Sequence, residues 1–299
     1  MPSTHHTAMG LSSSSSATIL VALVLMSFLY LLSWRRMQRA SASAISGWRS
    51  ASFLFGMSLV WAALGSPLAA YDHDLLTVHM IQHLLLMTFA PALILLGEPL
   101  LAFWHGLRRF GRIVLGPLFR RPWVQRCAHK LSRPALCWSV SALTLVGWHV
   151  PALFGLGMHS EVWHSVEQAS FLGAGLLFWW PVVQPWPGAS IGPQWSNLLY
   201  LFLATLPCDV LSGLLLFSDR IAYPMYFSMP RHFGFSVLED QQCAAALMWT
   251  CVTLVYLVPA AILSTRLLSS RTLPYGDCAQ SEVRGSATPP GDPQHLEIV

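Results

Sequence analysis

A chain of 299 residues in which 54% are hydrophobic and only 10% charged does not have the makeup of a soluble domain, where about a quarter of residues are charged. Its formal net charge of +4 is explained below by topology rather than by nucleic acid. No phosphate loop, nucleotide fingerprint or nucleophile–base pair occurs, so no enzyme is expected.

About 20 apolar residues span a bilayer. The apolar runs at 17–34, 51–70, 75–103, 135–156, 161–183, 195–217 and 242–268 therefore predict an all-α, polytopic membrane bundle of seven transmembrane helices over 17–268. The first run has no basic segment before it and is followed by Arg35 and Arg36, which marks a retained helix rather than a cleaved signal peptide. Residues 1–16 and the tail 269–299, rich in Ser, Gly and Pro, are expected to be disordered.

Fifteen of the 17 Lys and Arg residues fall after spans one, three and seven. They include Arg35, Arg36, Arg39 and Arg49, the cluster from Arg108 to Arg133, and Arg266. Only Arg220 and Arg231 lie on the other side. The positive-inside rule then sets the N-terminus outside and the C-terminus in the cytoplasm. The basic 104–134 loop is read as this orientation signal, with anionic lipid headgroups as its contacts. The six cysteines form no CxxC pair, so a disulfide framework is not expected. Cys208 and Cys243 are noted because both approach the outer half of the bundle.

With that orientation, span three enters from outside. His79-Met80-Ile81-Gln82-His83 lies one to two turns below the outer surface, and the four-residue spacing puts both imidazoles on one helix face. Ionisable groups at membrane depth are costly and point to function. Span four returns outward at Trp148-His149-Val150-Pro151, and span five begins with His159, Glu161, His164 and Glu167. Asp72-His73-Asp74 forms the preceding outer loop. Histidines from three consecutive helices thus converge on one leaflet.

Bland readings compete at each position. A lone intramembrane histidine often only bonds a neighbouring helix, a contact worth about 1 kcal/mol or less. His149 can satisfy carbonyls near Pro151. His73 and His159 read as ordinary interfacial residues, and methionines at helical spacing usually pack. His79, His83, His149 and His164, taken as a group with Met80 and Met87 nearby, favour a metal site. Histidine with thioether suits copper. Zinc can use imidazoles with Glu167, which lies three residues from His164 and can also orient a ligand. Haem between axial histidines is a further candidate, weakened by the lack of small residues around His83, so a membrane b-type cytochrome is the second reading and a copper transporter the third.

Asp209, after Pro207-Cys208 in span six, needs a partner or a water-filled cavity. Asp240 reads as the N-cap of span seven. Trp179, Trp180, Trp186 and Trp195 read as an aromatic belt.

The motifs His79-Met80-Ile81-Gln82-His83-Leu84-Leu85-Leu86-Met87, Ala90-Pro91 and Leu96-Gly97-Glu98-Pro99 are followed in order by Trp148-His149-Val150-Pro151, His164 with Glu167, and Phe178-Trp179-Trp180-Pro181. Asp240-Gln241-Gln242 and Met248-Trp249 complete the set. Together they resemble the CtaG family of cytochrome c oxidase (caa-type) assembly factors, over roughly residues 50 to 265. The resemblance implies a plasma-membrane protein that matures a haem–copper oxidase, with oxidase subunits as partners and copper as the candidate metal. Two departures stand out. Gln168 replaces a histidine that usually follows the glutamate, and Ala245 replaces a glycine.

Overall fold

A computed structural model describes residues 4–40, 46–106, 117, 121–131, 133–183, 194–230 and 234–269. The order of elements is α1 (Thr4–Ala40), α2 (Gly47–Leu64), a 3-10 turn (Pro67–Tyr71), α3 (Leu76–Leu84), a π-helical turn (Leu85–Phe89), α4 (Ala90–Leu96), α5 (Pro99–Gly106), α6 (Pro122–Leu131), α7 (Pro134–His149), α8 (Pro151–His159), α9 (Glu161–Val183), α10 (Gln194–Leu216), a second 3-10 turn (Pro224–Ser228) and α11 (Val237–Ser269). No strand occurs among the described residues. Helix is assigned from Thr4, so it runs through most of the serine-rich start. The expected tail disorder falls almost wholly outside the described residues.

Among the described residues, five helical stretches are long and apolar enough to cross a membrane, and a sixth arises if α7 and α8, bent by 75°, form one broken span. Seven spans were expected. The difference lies in α9, which has a span's 23 residues but carries Glu161, His164, Glu167 and Gln168 on its first two turns. The outward faces of α1, α10 and α11 are apolar, with Val21, Phe28, Val210, Leu214 and Leu257 exposed, as a lipid-facing bundle requires.

The stretch Leu76–Leu96 is central. Its apolar window is 61% buried, against 11 to 28% in the other four. It ends earlier than the run to residue 103 suggested. Gly97 packs so closely on Phe53 that a Cβ there would sit 2.5 Å from the Phe53 Cβ, and the Tyr30 hydroxyl donates to the Gly97 carbonyl at 2.7 Å. Glu98 then adopts φ 49°, a left-handed conformation strained for a residue with a Cβ. Its carboxylate pairs with Arg49, and the chain restarts as α5 at Pro99.

Within the central stretch, Pro91 has no N–H for a regular i−4 bond. The π turn just before it absorbs the defect, as π bulges do, with the Ala90 N–H donating to the Leu85 carbonyl. Helix α9 crosses this turn at Gly175, where a Cβ would lie 2.5 Å from the Met87 carbonyl oxygen and 2.7 Å from Pro91 Cγ. Such close approach is how helices associate where lipid offers no hydrophobic drive. Gly175→Leu should therefore lower stability by about 3 kcal/mol through overpacking, read as a lower unfolding temperature in detergent. Gly173→Leu, at a glycine with nothing within 4 Å of a built Cβ, should leave that temperature near wild type.

Two sequence expectations are corrected here. Trp179 is not an interfacial belt residue. It is 3% exposed and packs edge-on against Phe178 and Tyr256. Trp195 is exposed, and Trp186 lies outside the described residues. Asp240 does not cap its own helix. Ser236 and Glu239 form that capping box, the Ser236 N–H donating to Glu239 Oε2 at 2.8 Å and the Glu239 N–H to Ser236 Oγ at 3.2 Å. Asp240 instead caps α3, accepting from the N–H groups of Leu76 (2.7 Å) and Thr77 (3.0 Å) and from the Thr77 hydroxyl (2.6 Å).

Candidate metal centre

The cap on α3 fixes the start of the helix that carries His79 and His83. Both rings face α9, where Glu167 is fully buried. His83 Nε2 lies 3.3 Å and His79 Nε2 3.5 Å from Glu167 Oε1. The two imidazole centroids are 4.3 Å apart. None of the four ring nitrogens and neither Glu167 oxygen has a hydrogen bond of acceptable geometry. A buried carboxylate beside two imidazoles with no such bonds is a costly arrangement in a bilayer, and a cation is what would relieve it.

The separations fit one. Four-coordinate metal–ligand bonds of about 2.0–2.1 Å put tetrahedral ligand atoms roughly 3.3 Å apart, close to the His–Glu distances. Gly157 on α8 makes room for the carboxylate, since a Cβ there would sit 2.7 Å from Glu167 Oε2.

His149 ends α7 at the break before Pro151. Its Nδ1 lies 2.7 Å from the Leu145 carbonyl, to which an N–H must donate, so Nε2 is left with its lone pair in the neutral ring. That nitrogen faces Met80 Sδ at 3.3 Å. The His149 ring therefore bonds a backbone carbonyl, as one reading expected, and turns its other nitrogen toward a thioether. His149 stands beside the His79–His83–Glu167 group rather than in it, 6.0 Å from the His83 centroid. Met87 is buried and lines a cavity with His83, Met80, Cys208 and Met248.

His164 Nε2 lies 3.3 Å from Asp72 Oδ2, and its Nδ1 lies 4.0 Å from Glu167 Oε2. Gln168, at the position where a second histidine was expected, is also in this network. Its side-chain amide contacts His164 Nε2 at 2.7 Å.

Sequence reasoning missed Asp72, His73 and Gln82. Asp72 is 4% exposed. Gln82 Nε2 donates to Asp72 Oδ2 at 3.1 Å and to the Ala63 carbonyl at 3.0 Å. The Tyr226 hydroxyl donates to the Asp72 carbonyl at 3.3 Å. Burial alone would raise the Asp72 carboxyl, but the His164 hydrogen bond and neighbouring His73 hold it below the ordinary carboxylate range. His73, read as an interfacial residue, stacks at a tilt 5.1 Å from His164. The available signal was only the acid-histidine-acid run Asp72-His73-Asp74 just before the helix that carries His79.

Other candidates stay apart. His159 is exposed and turns back to the Gly155 carbonyl. Cys243 is exposed, and Cys137, Cys208, Cys243 and Cys251 are free thiols. Asp209 has a buried Oδ1 without a hydrogen-bond partner. Phe171 stacks on His83 at 4.0 Å and Phe154 packs on His79 at 5.0 Å, so aromatic rings flank both imidazoles.

Comparison with known proteins gives three relatives and one family. The chain is similar to uncharacterized proteins of Mycobacterium bovis and Mycobacterium tuberculosis, each 25% identical over 226 residues, covering 73% of this chain and 34% of theirs. An uncharacterized protein of Mycobacterium leprae is 24% identical over 237 residues, covering 77% of this chain and 35% of its own. The chain thus spans about a third of the length of these curated relatives. No solved structure matches it. Residues 28–270 match the family described as cytochrome c oxidase caa3 assembly factor, a match that contains the whole cluster. The chain belongs to the cytochrome c oxidase caa3 assembly factor family.

Proposed function

We propose that this protein assists assembly of a haem–copper cytochrome c oxidase in the bacterial plasma membrane, and that its buried cluster holds copper as cargo for the oxidase. The observation that carries this reading is the His79–His83–Glu167 group, two imidazoles and one carboxylate at ligand spacing with no hydrogen bonds of their own. The positive-inside pattern orients the cluster outward, and the oxidase's subunits are the implied partners. Imidazole donors suit cupric copper, and the His149–Met80 pair alongside adds a softer donor set that suits the cuprous ion. Zinc satisfies the same nitrogen and oxygen ligands, so metal identity belongs to the test.

His83→Ala should remove the copper held by this group from protein purified in detergent. In cells it should lower cytochrome c oxidase activity while the variant still accumulates in the membrane. Copper content and oxidase activity both at wild-type levels would overturn the proposal. The haem alternative predicts a Soret band in the purified protein, and none is expected.

A further inference from the structure

We infer that Asp72, His73 and His164 form a second cation station at the mouth of the buried group, through which a divalent cation reaches it. The inference rests on the reading that His79, His83 and Glu167 hold copper. Each of the three residues offers a ligand atom, and these atoms all lie within 4.8 Å of one another. His73 Nε2 is 3.7 Å from Asp72 Oδ1, and His164 Nε2 is 3.3 Å from Asp72 Oδ2.

Exposure falls along the line of donors. The His73 side chain is 46% exposed, Asp72 6% and His164 10%, whereas His79 is 1%, His83 6% and Glu167 0%. One end of the array meets solvent and the other is dry.

Glu167 joins the two groups. Its Oε1 faces His79 and His83, while its Oε2 faces His164 Nδ1 at 4.0 Å. That Nδ1 is buried without a hydrogen-bond partner. A bare cation is strongly disfavoured at membrane depth. Two carboxylates in series, Asp72 and then Glu167, keep the ion beside a negative oxygen throughout. Transfer is ligand exchange alone, with metal–ligand bonds to Asp72, His73 and His164 replaced by bonds to Glu167, His79 and His83. No electron moves, and at each station one carboxylate offsets half of the divalent ion's charge. Gln82, bonded to both Asp72 and the Ala63 carbonyl, fixes Asp72 as a positioning residue.

The test is a cupric titration of the full chain in detergent, with bound metal measured by elemental analysis after dialysis and by electron paramagnetic resonance. Wild type should bind about two ions per chain, one for each ligand set. His73→Ala, at a half-exposed side chain, should bind about one, retained at the buried group, and should load it about tenfold more slowly. His83→Ala should also bind about one, retained at the mouth. Asp72→Asn should behave as His73→Ala, and where it fails to fold His73→Ala carries the test alone. A single wild-type ion lost in His83→Ala and unaffected by His73→Ala overturns the mouth station and leaves the buried site standing. A single ion lost in His73→Ala and kept in His83→Ala supports the station and overturns the buried site.

Discussion

Glu167→Gln is expected to strip copper from the buried group while leaving the bundle folded. The amide keeps the shape of the carboxylate, so the space opened by Gly157 stays filled. It removes the negative charge that neutralises a bound cation and replaces one ligand oxygen by a weaker neutral donor. Losing a ligand should weaken binding by more than the 10–100-fold typical of residues that only orient ligands. The apo protein should respond differently. With a neutral amide in place of a buried carboxylate, its unfolding temperature should stay near wild type or rise. Copper titration and thermal unfolding on the same preparation check both halves. Wild-type copper affinity in Glu167→Gln would remove Glu167 from the ligand set and take the tetrahedral argument with it.

The second large effect belongs to a residue that touches no candidate ligand. Asp240→Ala should lower stability by about 3 kcal/mol, since the lost hydrogen bonds are to a charged acceptor and leave N–H groups at the start of α3 without a partner. The carboxylate also sits at the positive end of that helix. Glu239→Ala, on the exposed capping box of α11, should cost far less. The contrast separates a cap within one helix from a cap that ties α11 to α3. His79 lies one turn into α3, so Asp240→Ala should also weaken copper binding, whereas Glu239→Ala should not. Chemical or thermal unfolding in detergent and a metal titration read the two outcomes.

Much of the site was legible because intramembrane polar residues carry information in proportion to their cost. The i, i+4 spacing of His79 and His83 gave a shared face, and the alternation of spans brought His149, His164 and Glu167 to the same end. The structure divides that set into the His79–His83–Glu167 group, the His149–Met80 pair and the His164–Asp72 pair. Asp72 and His73 were passed over because they precede the helix, and no periodicity rule says which way a loop side chain turns. Asp240 was misread although the clue was present, since Ser236-Val237-Leu238-Glu239 is itself a capping-box pattern. Once that box satisfies α11, Asp240 is released for another helix, but only tertiary structure says which. The span ending at residue 103 was drawn too long because Gly97 and Glu98 break the helix by close packing and a left-handed turn, neither of which hydropathy registers.

The π turn at Leu85–Phe89 has a consequence for how this helix distributes its faces. In an unbroken α-helix, His83 and Ala90 stand seven residues apart and look into the same sector. Here His83 meets Glu167 on α9, while Ala90 and Ile94 meet Gly56 on α2. The wider turn advances fewer degrees per residue, and over its length it re-phases the second half of the helix by about a quarter turn. One rod thereby serves two neighbours in different directions, its polar half keyed to the cluster and its apolar half to the scaffold, with Pro91 setting where the phase changes.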